Sequence, residues 1–221
     1  MKILHTSDIH IKEYKDDKWN TLVKLLNIGK QEKIDVFAIC GDLFDKDFNA
    51  EELRPKVQNV FSNNGFDIIL LPGNHDSISY QKGYFFGDDV ILLNIFDEYK
   101  EYDNICIWGL PFEPMERKDV LTKLRLLGKK LNPEKINILL YHGELLDAVF
   151  SRKDFGDEGI ERYMPVMLSD FEKLNLHYVL AGHFHSKFDI RQIGPNRYFV
   201  YPGSPISIKK SEIGRRKINI F

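Results

Sequence analysis

Side chains able to bind a metal ion or move a proton fall, in this sequence, directly after apolar runs. Asp8 and His10 follow KILHTS, Asp42 follows DVFAIC and Gly41, and Asn74 and His75 follow IILLPG. His142 follows NILLY, and His183 and His185 follow YVLA and Gly182. A single histidine or aspartate in a turn is ordinarily a cap or a solvated group, and an isolated DxH carries little. Five of the seven histidines at such positions, with two aspartates and an asparagine, are not explained by capping. Carboxylate, imidazole and amide oxygen without thiolate suit divalent Mn, Fe, Zn or Co. The donors Asp8, His10, Asp42, Asn74, His142, His183 and His185 exceed the needs of one four-coordinate ion and suffice for two ions sharing a carboxylate. Asp42, in the middle of the set, is the expected bridge. Two such ions, about 3.5–4 Å apart, lower the pKa of a bound water and neutralise charge developing on phosphorus, the chemistry of in-line phosphoester hydrolysis. His75, beside Asn74, is suited to protonating a leaving alkoxide. Asp45, in GDLFD, is the expected carboxylate that fixes its tautomer, against the plainer reading of Asp45 as a turn or helix cap.

Residues so far apart meet only if the apolar runs are neighbouring strands. KILHTS (2–7) reads as a strand, followed by a helix with Trp19, Leu22, Val23 and Leu26 on one face and Asp16 or Asp17 at its cap. Asp35 to Cys40 is a second strand. A helix from about Asn49 to Asn63, carrying Leu53, Val57, Val60 and Phe61, ends before Gly65, and FDIILL is a third strand. This order predicts parallel βαβ units with right-handed crossovers, and ligands bind at the carboxyl ends of such strands. Strands VILLN near 90 and NICIWG near 104 can pair as a hairpin, and residues 116–130 read as a helix. A strand at 135–141, a helix at about 165–175 and a strand at 177–182 follow. RYFVY, PISIKK and RRKINIF predict an antiparallel ending of short strands.

Several residues carry weaker signals. His5, inside the first strand, reads as a core-edge residue, and His177 has no partner pattern. The segment from Phe150 to Tyr163 reads as a long loop near His142 that either shapes substrate access or is a surface excursion. Pro111, Phe112 and Met115 fit the rim of a site and core packing equally. Lys209, Lys210, Arg215, Arg216 and Lys217 suggest basic strands that meet a nucleic-acid backbone or simply guard a sheet edge.

A chain of 221 residues with 43% hydrophobic content predicts a single domain over residues 1–221 with an ample core and no separate cap. A net charge of −2 argues against sequence-blind coating of nucleic acid, although a metal pair would add local positive charge. Cys40 and Cys106 lie in apolar runs and read as structural thiols of a reducing compartment. No apolar run approaches the ~20 residues of a membrane span, and KILHTSD directly after Met1 lacks a cationic leader. The expectation is a cytoplasmic protein without membrane contact.

DIH at 8–10, GDLFD at 41–45, GNHD at 73–76, HG at 142–143 and GHFH at 182–185 together resemble the calcineurin-like metallophosphoesterases. The resemblance implies an α/β fold, a four-layer αββα sandwich of two mixed central sheets flanked by helices. It implies that Asp8, His10, Asp42 and His185 hold one ion and Asp42, Asn74, His142 and His183 the other, with His75 and Asp45 as the catalytic pair. KILHTSDIH, GDLFD and Tyr201-Pro202-Gly203-Ser204 are most similar to the Mre11/SbcD-type nuclease branch. That branch implies manganese, with Fe, Zn, Co or Ni as alternatives. It also implies exo- and endonuclease activity on DNA, a Rad50/SbcC-type ATPase partner and a homodimer. Those nucleases continue into a DNA-contacting cap and an ATPase-binding segment, whereas this sequence stops at Phe221, which suits a catalytic core alone. Small phosphoesters are the alternative substrate, and a non-catalytic partner-binding scaffold is a third reading. Lys46 stands where the protein phosphatases carry arginine, and an ammonium does not grip phosphate bidentately.

Overall fold

The structure, a computed structural model, describes residues 1–46, 48, 50–80, 85–147, 163–186, 188–210, 212 and 214–221. Strands β1 (Ile3–Thr6), β2 (Val36–Cys40), β3 (Asp67–Leu71) and β4 (Val90–Leu92) are parallel, and β11 (Asn219–Ile220) joins β1 antiparallel, in the order β11-β1-β2-β3-β4. The second sheet has the order β5-β6-β7-β8-β10-β9. It comprises β5 (Tyr99–Glu101), β6 (Ile105–Leu110), β7 (Ile136–His142), β8 (Tyr178–Gly182), β9 (Asp189–Gly194) and β10 (Arg197–Tyr201). Its inner strands are parallel and its two edges, β5 and β9, run antiparallel.

Period-two alternation explains why the sheets stack. Val36, Ala38 and Cys40 of β2 face Ile138 and Leu140 of β7 and Leu180 of β8 in an apolar layer between the sheets. The intervening Phe37 and Ile39 face outward onto α1 (Asp17–Glu32) and α2 (Ala50–Phe61), through Trp19, Leu22, Leu26, Leu53, Val57 and Phe61. On the other side Leu139 and Tyr141 meet α3 (Arg117–Gly128) through Val120, Leu124 and Leu127. The result is the expected αββα sandwich with two mixed sheets. Asp16 caps α1, its carboxylate accepting from Trp19 N at 2.6 Å.

Some expectations need correction. The runs near 90 and 104 form no hairpin: β4 pairs with β3 in the first sheet, while β6 lies in the second beside β5 and β7. The stretch at 165–175 is only a 3₁₀ turn at Leu168–Asp170, opened by Met167 N donating to the Asp170 carboxylate and closed by Phe171 N donating to Leu168 O. PISIKK is not a strand, and of RRKINIF only Asn219–Ile220 is strand, with Phe221 exchanging backbone hydrogen bonds with Ile3. His5 is fully buried, not at a core edge, since it alternates with Leu4 and so shares the inter-sheet face of Ile3. Burial pushes its imidazole down to about 3, against a smaller opposing contribution from the Ala181 backbone. His177 Nδ1 accepts from Asn137 N at 3.2 Å, a structural contact. Cys40 and Cys106 are buried free thiols, as expected. No helix among the described residues is long and apolar enough to cross a membrane.

Candidate metal centre

Each candidate donor sits where a parallel strand ends, and the turns that follow are bound to one another. Asp8 N donates to Gly41 O (3.0 Å), Ile9 N and His10 N both donate to Asp42 O (2.9 Å), and Asp45 N returns to Ile11 O (3.1 Å). The β1 and β2 loops are thus zipped together beyond the sheet. His75 N donates to Asp42 Oδ1 at 2.9 Å, which ties in the β3 loop. Across the sandwich, His183 N donates to both oxygens of Asp8 at 3.1 Å. His142 Nδ1 donates to Cys40 O at 2.9 Å. A carbonyl only accepts, so that nitrogen carries a proton, and His142 Nε2 points into the cleft, 2.8 Å from Asn74 Oδ1.

Two glycines make this approach sterically feasible. A Cβ on Gly182 would lie 1.9 Å from Cys40 O, and one on Gly41, which also has φ +88°, would lie 1.9 Å from His142 Nδ1. Four of the candidate ligands are themselves in left-handed backbone: Asp8 (56°), His10 (55°), Asp42 (52°) and His183 (102°). Non-glycine residues there cost on the order of 1–3 kcal/mol each, and such strain collects at functional sites.

Asp42 Oδ2 lies 3.6 Å from His10 Nε2 and 3.4 Å from His142 Nε2, and Asp8 Oδ1 lies 3.6 Å from His185 Nε2. Donors each about 2.0–2.2 Å from one cation are separated by roughly 3–3.6 Å. Asp42 Oδ2, both His10 nitrogens and His185 Nε2 are buried without a hydrogen-bond partner. Buried polar atoms left so are costly. A cation would satisfy Asp42 Oδ2, His185 Nε2 and one His10 nitrogen, so the donor set fits the group that its chemistry implies. Asp8, His10 and His185 form one compact cluster and Asp8, Asp42 and His142 another. His183 lies against His142 with ring centroids 5.4 Å apart. Asp8, His10, Asp42, His142 and His185 thus lie in one cleft, with Asn74 and His183 against His142.

The electrostatics agree. Burial alone would raise the Asp42 carboxyl, but His142, His10 and His75 outweigh it and hold it well below the usual range. Burial would likewise lower His142, yet Asp42 and Asp8 push it up to about 9. Both shifts come chiefly from the pairing of Asp42 with His142, whereas burial raises the Asp8 carboxyl and lowers His10 to about 3. His75, half-buried, packs its ring on that of His10 (centroids 4.6 Å) with Nδ1 3.7 Å from Asp45 Oδ1. Asp45 also meets His10 Nδ1 (3.8 Å), Lys12 Nζ (3.4 Å) and Lys18 Nζ (3.8 Å), and despite partial burial its carboxyl is held low by His75, His10 and Lys12.

Sequence reasoning missed several supporting residues. Asp76, the last residue of GNHD, is fully buried and accepts from Gly73 N (2.8 Å) and Phe44 N (3.1 Å), locking the β2 and β3 loops together. Burial and the neighbouring Asp42 raise it to about 7. Its place inside the motif was the available signal. Tyr201 OH donates to Gly143 O at 2.6 Å, and Ser204 Oγ donates to Asp8 O at 2.8 Å. Glu212 and Arg216 also reach the site; Arg216 is turned inward, not presented on a basic strand. Phe112 and Met115 line a cavity of about 490 Å³ with Tyr163 and also pack on the core, whereas the expected loop before Tyr163 lies outside the described residues.

A model of the calcineurin-like phosphoesterase family matches residues 1–187 of this chain. The chain belongs to that family. Among curated relatives of this phosphoesterase, the SbcD component of the nuclease SbcCD from Staphylococcus epidermidis is 23% identical over 98% of the chain and 64% of its own length. The DNA double-strand break repair protein Mre11 of Sulfurisphaera tokodaii is 28% identical over 96% of the chain and 56% of its own length. The chain thus spans about three-fifths of these relatives. Among solved structures, a dimetal phosphatase from Danio rerio superposes with a TM-score of 0.60 at 10% identity, covering 92% of this chain and 87% of its own. GAP50, the anchor in the inner membrane complex of Plasmodium, gives 0.58 at 10%, covering 98% and 75%. Those likenesses are of fold, and a fold serving both a phosphatase and an anchor does not choose a function.

Proposed function

We propose that this chain is a two-metal phosphodiesterase acting on DNA, its length forming a single catalytic domain. The observation that carries the reading is the clustering of Asp8, His10, Asp42, His142 and His185 from two sheets, several buried and otherwise unsatisfied, with Asn74 and His183 beside His142. Asp8, His10, Asp42 and His185 would hold one ion and Asp42, Asn74, His142 and His183 the other. The position of Asp42 Oδ2 between His10 and His142 supports its bridging role. When bound, the ions supply Lewis-acid charge and a water of lowered pKa. The set of hard and borderline donors suits manganese, the metal that the sequence resemblance implies.

The remaining work belongs to the chain itself. His75, at the half-exposed edge of the cleft, delivers a proton to the leaving oxygen. Asp45 holds that imidazole in one tautomer, while Lys12 helps keep Asp45 ionised. A DNA substrate is suggested by the names of those relatives, and the Rad50/SbcC-type ATPase partner and homodimer implied by the sequence resemblance are proposed with it.

The test incubates Mn-loaded protein with a single-stranded oligonucleotide and, separately, with bis(p-nitrophenyl) phosphate. Cleavage of both, abolished in Asp42→Asn, is the expected result. Turnover of the small diester with intact oligonucleotide moves the substrate to small phosphoesters. Hydrolysis of neither, with any divalent ion, leaves the scaffold reading.

A further inference from the structure

The chain beyond the family match returns to the site and closes around His185. Ser204 N donates to the His185 carbonyl at 3.0 Å, and Arg216 Nη1 donates to the same oxygen at 2.8 Å. Arg216 Nη2 reaches Ser207 Oγ (2.8 Å), the Glu212 carbonyl (2.5 Å) and Glu212 Oε2 (3.3 Å). Ile208 N donates to that same Oε2 at 2.9 Å. One oxygen of the Glu212 carboxylate is therefore held from two sides. The other, Oε1, faces His185 Nδ1 at 3.5 Å, an ion-pair contact longer than a formed hydrogen bond, with both side chains almost fully buried. The far nitrogen of the ring, Nε2, is the one that joins the cluster with Asp8 and His10.

A carboxylate beside one imidazole nitrogen keeps the proton there and leaves a more basic lone pair on the other. We propose that Glu212, clamped by Arg216, is a positioning residue for His185: it fixes Nδ1 as the protonated nitrogen and aims Nε2 into the Asp8–His10–His185 cluster. The inference rests on the reading of that cluster as a metal site. It also makes the two halves of the centre unequal. His142 in the other cluster is backed by the neutral Cys40 carbonyl, whereas His185 is backed by a full charge. Loss of Glu212 therefore weakens one ion and spares the other.

The experiment is calorimetric titration of the full chain with Mn²⁺ in the wild type and in Glu212→Gln, which keeps the side chain's size and removes its charge. The wild type binds two ions. In the variant one binding step weakens by roughly 10–100-fold, the usual cost of losing such a partner, and the other step is unchanged. Arg216→Lys, which loosens the clamp but keeps the carboxylate, weakens the same step by less and carries the test if the first variant does not fold. Nitrogen NMR of His185 shows a protonated Nδ1 in the wild type. Two unchanged Mn²⁺ steps in either folded variant overturn the role of Glu212 and leave the metal centre standing. A wild type that binds no Mn²⁺ overturns both.

Discussion

His75 and His5 are both partly or wholly enclosed imidazoles, and their surroundings assign them opposite tasks. His75 stands at the cleft edge with Asp45 3.7 Å from Nδ1 and its ring against His10. His75→Ala should lower kcat by about 10²–10⁴, the range for losing a general acid, with two Mn²⁺ still bound. Loss of an ion instead, seen by elemental analysis, would make His75 a ligand. His5 lies dry between the sheets with its pKa pushed down to about 3, whereas the unfolded chain titrates near the ordinary value of 6.5. Between those values the unfolded state binds the extra proton. The stability contributed by neutral His5 is therefore full above pH 6.5 and is lost as pH falls toward 3, by about 1.4 kcal/mol per unit. Urea unfolding in the presence of chelator should show this slope, and His5→Leu should flatten it. The metal-competent residues were legible in the sequence because each follows its strand within a few positions. His5 was not, since the depth of a strand residue depends on a second sheet far along the chain.

At the scale of elements, the strand ends carry the site and glycine sets how closely they meet. Gly182 at the end of β8 leaves no room for a Cβ between Cys40 O and Ser7 Cβ. Gly182→Ala should separate the two sheets locally, cost on the order of 1–3 kcal/mol as an overpacked position, and weaken Mn²⁺ binding. Chemical denaturation together with calorimetry checks both. The parallel βαβ half was readable because its strands are short apolar runs buried on both faces and its helices repeat apolar residues every three to four positions. The middle was not: β4 is only Val90–Leu92 and could join either sheet, and its actual register is Ile68 opposite Val90. β5, with the sequence Tyr99-Lys100-Glu101, has no apolar signal at all. Glu212 and Arg216 were hidden for a related reason, because charged residues in a charged tail look solvated until the tail folds over His185.

For the whole molecule, the donors divide between the layers. Asp8, His10, Asp42 and Asn74 leave strands of the first sheet, and His142, His183 and His185 leave the second. Bound cations would then staple the sheets together as well as do chemistry. Mn²⁺ at a hundred times its Kd should add about 2.7 kcal/mol per site to unfolding stability, an increment that EDTA reverses and Asp42→Asn largely removes. A melting midpoint indifferent to Mn²⁺ would mean the donors do not bind it across the sandwich. The most direct measurement is an anomalous difference map from Mn²⁺-soaked crystals of the full chain. Two peaks about 3.5–4 Å apart are expected, flanking Asp42, one beside Asp8, His10 and His185 and the other beside Asn74, His142 and His183. A map with no peak in the cleft, or with Asp42 touching none, contradicts the two-ion centre.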